Sequence, residues 1–360
     1  MTGFLLTIVC VLVLGLVAFT WLQVRRLERL YAPSGEFVDM GGYRLHCLHV
    51  PAAEGADLPP IVFLHGASGN LRDQALAFRQ KLRGRAELLF VDRPGHGWSE
   101  RGPEANGWPD GQARAIAELM KRKQIKSALV VGHSFGGVIA ANMALEAPDA
   151  VKGLLFLSAA TYPWPGGIDW HYRFGANPLT GRLLSWLAVM PAGLLRIERV
   201  VRCVFSPNVC PANYVQDTAA ALVLRPRTFR YNARDIANLY DFVVAVSPRY
   251  AEIDKPTVII TGETDLIVSP DIHSNALAKA IKGSILLRLH GVGHKPDFGA
   301  NDLCVSALEK LNGKRVDLET EARRLERRLA GDGGSDEREE TQRSGSASGR
   351  QIPVMPSDPI

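Results

Sequence analysis

The sequence predicts an α/β fold: a mostly parallel central sheet with helices on both faces and a helical cap inserted late in the chain. Three observations carry that expectation. Short β-branched apolar runs alternate with helical patterns from Pro59 to Leu157, and again from Pro256 to Leu311. Between Thr161 and about Val246 the strand signal disappears, and Trp, Pro, Arg and Leu dominate. At Ala128–Gly137 an apolar run meets Gly-x-Ser-x-Gly and a helical pattern follows at once. Strand, tight turn and helix in that order are the context in which this motif exposes a serine above a sheet.

The first element is an apolar stretch without charge from Gly3 to Leu22, followed by Arg25, Arg26 and Arg29. About 20 such residues span a bilayer core of roughly 30 Å. No Lys or Arg precedes the stretch, and Ala18-Phe19-Thr20 is a poor cleavage site. Residues 1–27 therefore read as an uncleaved transmembrane anchor rather than a signal peptide. The basic flank places the following body on the cytoplasmic side of a single-pass membrane protein. If the anchor is only a tether, removing residues 1–27 leaves a folded, active body.

The remainder divides into a first core segment (28–160), a helical cap (161–249), a second core segment (250–313) and a charged tail (314–360). In the first segment, Phe37–Met40 and Tyr43–Val50 flank Gly41-Gly42 and predict a hairpin. Pro59–Leu64 is a buried strand running into His65-Gly66-Ala67-Ser68-Gly69-Asn70, and Ala86–Val91 is a second, ending in the loop Asp92–Ser99. Pro109–Gln124 is amphipathic, with Ala113, Ile116, Leu119 and Met120 on one face. The Ser134 turn, its helix and a strand at Val151–Leu157 complete this segment.

In the cap, helical patterns cover Leu183–Met190, Leu194–Phe205, Tyr214–Leu224 and Arg234–Val244. The cap leaves the sheet directly after a strand end, where ligands bind in open α/β sheets. The second core segment holds strands at Pro256–Thr261 and Ser284–Leu289, a helix around Ile272–Ile281 and a closing helix to about Leu311. Lys314–Leu329 is densely charged, with Leu318, Ala322, Leu325 and Leu329 at 4-3-4 spacing, and predicts a lone solvated helix ahead of at most two heptads of a coiled coil. Beyond Gly331 the Gly/Ser/Glu/Pro-rich composition predicts disorder.

Composition narrows the function. Of 360 residues, 46% are apolar, enough for a sizeable core. The net charge of +5 is scattered rather than gathered into a stripe with aromatics, which argues against nucleic acid. Five cysteines include no Cys-x-x-Cys pair and predict no disulfide framework, although Cys203 and Cys210 lie close in sequence. No metal-ligand cluster and no dinucleotide-binding Gly-x-Gly-x-x-Gly occurs in context, so neither a metal nor an organic cofactor is expected.

A serine nucleophile needs a base, and the base needs an orienting group. His294 sits in a short Gly-flanked loop after the last predicted strand, and His290, at the end of that strand, is second choice. His65 and His96 read as loop-shaping residues, His133 points away from the hydroxyl, and His171 and His273 fall away from the strand ends. For the acid, Asp265 follows a strand end on the side of Ser134, with Glu263 as the nearby alternative. Asp254 precedes its strand and lies at the wrong end. The order Ser134…Asp265…His294 is one of the known orders for this trio.

From about Phe37 to Leu311 the chain resembles the α/β-hydrolase fold superfamily, in its capped form. The matching residues are His65-Gly66, Asp92-Arg93-x-Gly95-x-Gly97-x-Ser99, Gly132-x-Ser134-x-Gly136, Gly262-x-x-Asp265 and Gly293-His294. The resemblance implies an oxyanion hole made by the backbone N–H groups of Ala67 and Phe135, and a mainly architectural Asp92–Ser99 loop. Epoxide hydrolases and haloalkane dehalogenases resemble this chain too, but carry aspartate where Ser134 stands. The resemblance thus implies acyl chemistry on a small-molecule ester, with acyl transfer, carbon–carbon bond hydrolysis and non-catalytic ligand binding as alternatives. The apolar cap suggests a hydrophobic substrate.

Overall fold

The computed structural model describes residues 2–331. The tail expected to be disordered begins beyond these and lies outside the described residues. Eight strands form one sheet: β1 (Glu36–Asp39), β2 (Arg44–Val50), β3 (Ile61–Leu64), β4 (Leu88–Val91), β5 (Ala128–His133), β6 (Val151–Leu157), β7 (Thr257–Gly262) and β8 (Ile285–Leu289). Their spatial order is β1-β2-β4-β3-β5-β6-β7-β8. The β1–β2 and β2–β4 pairs are antiparallel and all others parallel. The hairpin closes at Gly41 and Gly42, whose φ of 84° and 102° suit a turn that needs positive φ at both positions.

The helices, in chain order, begin with α1 (Thr2–Leu30), α2 (Leu71–Leu82), α3 (Pro109–Arg122) and α4 (Phe135–Glu146). Between β6 and β7 come α5 (Trp170–Ala176), α6 (Pro178–Leu184), a π turn (Ser185–Val189), α7 (Met190–Phe205), α8 (Tyr214–Asp217) and α9 (Pro226–Val246). After β7 follow α10 (Ser274–Ala280), α11 (Pro296–Gly299), α12 (Asn301–Leu311) and α13 (Leu318–Leu329). The expected cap boundaries shift. The pattern Leu183–Met190 is taken up by the end of α6 and the π turn, and it runs without a break into Leu194–Phe205 because α7 already begins at Met190, with Pro191 in its first turn. The pattern at Tyr214–Leu224 breaks after Asp217, where Ala219 takes φ of 50°, and resumes as a 3-10 turn. The last helix starts earlier than expected, at Pro226, a residue suited to a helix's first turn.

The strands alternate their side chains between two cores. In β5, Ala128 and Val130 join the layer of α3, α4 and α10, whereas Leu129 and Val131 join that of α2, α12 and α13. Both faces are covered, which is why β3 to β7 read as continuous apolar runs. The parallel strands all end on one side, so the loops after β3, β5, β7 and β8 converge there.

Two expectations are corrected by packing. The charged α13 is not a lone solvated helix: Leu318, Ala322 and Leu325 are buried in the core beside β8, and Glu326 accepts the His290 N–H. Its charges occupy only the outer face. Nor is α1 merely a tether. Thr20 is buried and donates its hydroxyl to the Trp186 carbonyl at 2.8 Å. Leu27 is buried in a cluster with Met190, Ala219, Leu222 and Leu224 of the cap, and Glu28 pairs with Arg225 at 3.4 Å. Residues 2–19 project away, almost all of them exposed. All five cysteines are free, Cys203 and Cys210 included.

Candidate active site

Ser134 occupies the turn between β5 and α4 with φ 51° and ψ −117°, backbone angles that cost a non-glycine residue ~1–3 kcal/mol. The surroundings hold it there. Its N–H donates to Leu157 O at 2.9 Å, and its carbonyl accepts from Gly137 and Ala160. The motif glycines are required by close approach: a Cβ on Gly136 would lie 2.1 Å from Leu64 O, and one on Gly132 would lie 2.6 Å from Gly136 O. Two sequence-motif positions thus serve backbone crowding, and one presents chemistry.

Asp265 and His294 are brought together by the loops after β7 and β8. His294 Nδ1 lies 2.8 Å from Asp265 Oδ2, and both groups are buried. The other carboxylate oxygen accepts the N–H groups of Ile267 and Val268 at 2.8 and 2.9 Å. Burial pushes the Asp265 carboxyl upward, but the imidazole and the two N–H donors outweigh it and hold the group below its ordinary range. An ionised Asp265 accepts a hydrogen bond from His294 Nδ1–H, which keeps the proton on Nδ1 and leaves Nε2 as the acceptor. Ser134 and His294 line the same cavity. Among the described residues no hydrogen bond joins the Ser134 hydroxyl to His294, a contact that commonly tightens only when substrate is bound.

The loop after β3 supplies the facing wall. Phe135 is the first residue of α4, so its N–H has no acceptor within the helix. The Ala67 N–H likewise makes no hydrogen bond to protein among the described residues. This loop is clamped from the cap. Asn232 of α9 accepts the Ser68 N–H at 2.7 Å and donates to the Ser68 hydroxyl at 3.0 Å, where Ser68 has φ of 60°. Asn70 donates to the Thr218 carbonyl. Arg93, fully buried, donates to Gly66 O at 3.1 Å and stacks over the Phe135 ring.

Arg93 is itself neutralised by Asp235 of α9, which also takes hydrogen bonds from Arg101, His96 and Gln112. Burial would raise the Asp235 carboxyl, yet Arg101, His96 and Arg93 lower it to about 2. His65 shapes its loop as expected: Nδ1–H donates to Gly66 O, and Nε2 accepts the Arg93 N–H. The Asp92 carboxylate takes the N–H groups of Leu71 and Trp98, an architectural use of that loop.

The second-choice pair finds a different place. His290 and Glu263 bond to each other at 3.1 Å on the surface, away from Ser134. His273 departs from expectation: it is buried on the cavity wall, with Nδ1 accepting the N–H groups of Thr161 and Tyr162 just past β6. The His133 ring turns to donate from Nε2 to His294 O.

Sequence reasoning missed Asn232, Asp235 and Lys295. The only available signal was polar residues three apart inside a mostly buried helix, and a lysine directly after the candidate base. Lys295 is buried 2.9 Å from both Asp73 and Asp297, and Tyr214 of the cap donates to the same Asp73. Donor atoms of Asp73, His133 and Asp297 lie within 4.8 Å of one another, a metal-like spacing. The Lys295 ammonium already bridges the two carboxylates, so this cluster carries its own cation. Burial disfavours that charge, but Asp297 and Asp73 more than restore it.

The cavity holds about 760 Å³, ample for a small organic ligand, and runs from Ser134 and His294 to α7 of the cap. A profile of the alpha/beta hydrolase fold matches residues 59–296, which include the Ser134, Asp265 and His294 loops.

The chain belongs to the alpha/beta hydrolase fold family. Among curated relatives of this hydrolase, haloalkane dehalogenase 2 of Mycobacterium tuberculosis is 26% identical over 296 residues, covering 78% of this chain and 95% of that one. The mouse sn-1-specific diacylglycerol lipase ABHD11 is 35% identical over 222 residues, covering 61% and 70%. Solved structures with the same fold include Est816, described as an N-acyl homoserine lactone degrading enzyme, and the enol-lactonase of Burkholderia xenovorans LB400. The first has a TM-score of 0.56 at 23% identity, covering 78% of this chain and all of that one. The second has a TM-score of 0.59 at 19% identity, with the same coverage.

Proposed function

We propose that this alpha/beta hydrolase is a serine hydrolase that cleaves an ester-like acyl bond of a hydrophobic substrate. The observation that carries the reading is the buried 2.8 Å bond between His294 Nδ1 and Asp265, made beside a Ser134 held at a strained turn on the same cavity. In the mechanism, Ser134 Oγ attacks the carbonyl carbon while His294 Nε2 takes the hydroxyl proton. Asp265 stays ionised and stabilises the imidazolium. The N–H groups of Ala67 and Phe135 receive the developing oxyanion, and one such donor is typically worth about 10²–10³ in rate. His294 then protonates the leaving alkoxide, and water activated by the same imidazole releases the acid from the acyl-enzyme.

Among relatives of both kinds, serine chemistry is favoured over dehalogenation by Ser134 itself, since the dehalogenase mechanism calls for an aspartate there. Acyl transfer shares the acyl-enzyme and remains the second reading, distinguished by whether an alcohol outcompetes water. The apolar walls of the cavity, including Ile197, Val200, Val204 and Leu239, support a hydrophobic acyl group. The single helix α1 is long and apolar enough to cross a membrane. Its docked final turns, Thr20 to Leu30, support retention as an anchor, with Arg25, Arg26 and Arg29 favouring a cytoplasmic body.

Active-site labelling with a fluorophosphonate tests the mechanism. Wild type is expected to carry one adduct on Ser134. Ser134→Ala abolishes it, and His294→Ala slows it by on the order of 10³-fold or more. A folded wild type that does not label overturns the reading.

A further inference from the structure

Outside α1, every large apolar side chain more than half exposed among the described residues lies in one of two places. Seven fall in the cap between Trp170 and Val209, and the other two are Leu266 and Ile267, next to Asp265. Val200, Leu266 and Ile267 also line the cavity, so its rim belongs to the same apolar surface. Exposed apolar area concentrated in this way marks an interaction surface.

The docking of α1 says what covers it. The unbroken apolar stretch of α1 ends at Leu22, three residues before Arg25, and Thr20 is bonded to Trp186 of the π turn. A bilayer crossed by Gly3–Leu22 therefore ends level with that turn. From there α7 continues, and at 100° per residue its outward face carries Leu195, Arg199 and Arg202, with Glu198 3.9 Å from Arg202, while Arg196 and Val200 sit where that face meets the cavity rim. From Trp164 to Cys210 there are five arginines against two acidic residues, Asp169 and Glu198. Guanidinium groups at lipid phosphates, with leucine and valine reaching past them, are the arrangement of a helix lying in a membrane interface.

We propose that the cap is a second membrane contact. The α6–π turn–α7 segment lies on an anionic leaflet, and the rim at Val200, Leu266 and Ile267 admits the substrate sideways from the lipid. The substrate class is then a membrane lipid ester. This deepens the serine-hydrolase reading and rests on it, and on α1 as a retained anchor.

The test uses the full chain in nanodiscs of phosphatidylcholine with phosphatidylglycerol. A Cys10→Ser, Cys210→Ser background leaves Cys203, exposed on the outward side of α7, as the accessible thiol for an environment-sensitive fluorophore. Quenching by doxyl-labelled lipid and protection from aqueous iodide are expected. Iodide quenching without lipid quenching overturns the proposal.

Leu183→Glu and Leu195→Glu, neither of which lines the cavity, provide the second arm. They should cut hydrolysis of a bilayer-resident diacylglycerol by about tenfold or more, and leave a short water-soluble p-nitrophenyl ester within about twofold. Equal loss on both substrates, or no loss on either, overturns it. Failure of fluorophosphonate labelling sinks the serine reading instead, and the fluorescence arm still decides the membrane contact.

Discussion

Four histidines illustrate how this site is built from groups that are kept uncharged. His133 and His273 are buried on the cavity wall and His65 and His96 in the loops beside it, and burial is the leading cause that holds each below its ordinary range. For His96 nearby Arg93 adds to the effect and Asp235 opposes it, and the group falls to about 4. His273 also falls to about 4, with Asp265 opposing. A histidine depressed in the folded state takes up its proton on unfolding. Stability from these residues is therefore present above pH ~6.5 and lost as pH falls below it, down to about 4 for His96 and His273, by up to about 1.4 kcal/mol per pH unit for each. Thermal melting followed from pH 8 downward is expected to show a falling midpoint below pH ~6.5, before Asp265 or Asp235 titrates. A midpoint flat to pH ~4.5 contradicts the buried, neutral assignment.

At the scale of elements, α9 is the feature that sequence patterns conveyed least. Its periodicity announced a helix, yet nothing in the spacing announced that Asn232 and Asp235 hold the loop opposite Ser134. Asn232→Ala should reduce kcat by about 10–100-fold with little change in KM, because Ala67 loses its fixed position while the cavity keeps its walls. Steady-state kinetics on a short ester checks this, and an unchanged kcat refutes it. By contrast, the placement of the candidates Ser134, Asp265 and His294 was legible, because each follows a strand whose apolar run is unmistakable, Ser134 between two glycines one residue removed and His294 directly after one. His273 was misplaced for a physical reason: its loop folds back over the sheet before α10 begins, which a linear pattern does not reveal. The same holds for α13, whose buried stripe of Leu318, Ala322 and Leu325 is outnumbered by surface charge.

The whole molecule ties α1, cap and sheet into a continuous set of contacts. Removing residues 1–19 leaves Thr20, Leu27 and Glu28 in place and is expected to leave the thermal midpoint unchanged. Removing residues 1–30 strips Leu27 from its cluster and Glu28 from Arg225. That should destabilise the fold by about 2–4 kcal/mol, the scale of one buried leucine with its partnered neighbours. Matched melting curves of the two truncated chains, in the same detergent, decide the point; identical midpoints would show that the docked turns contribute nothing.

The clamp from α9 has a further consequence for how such an enzyme can change its diet. Residues from Trp164 to Leu224 wall the cavity and can vary with the substrate. Asn232 and Asp235 are in contact with the loops around Ser134 and must stay. A chimera that imports a foreign cap wholesale would arrive with a new pocket but a slack reaction centre, whereas one that splices upstream of Pro226 would inherit both. Diversification here is open on one half of the insertion and closed on the other.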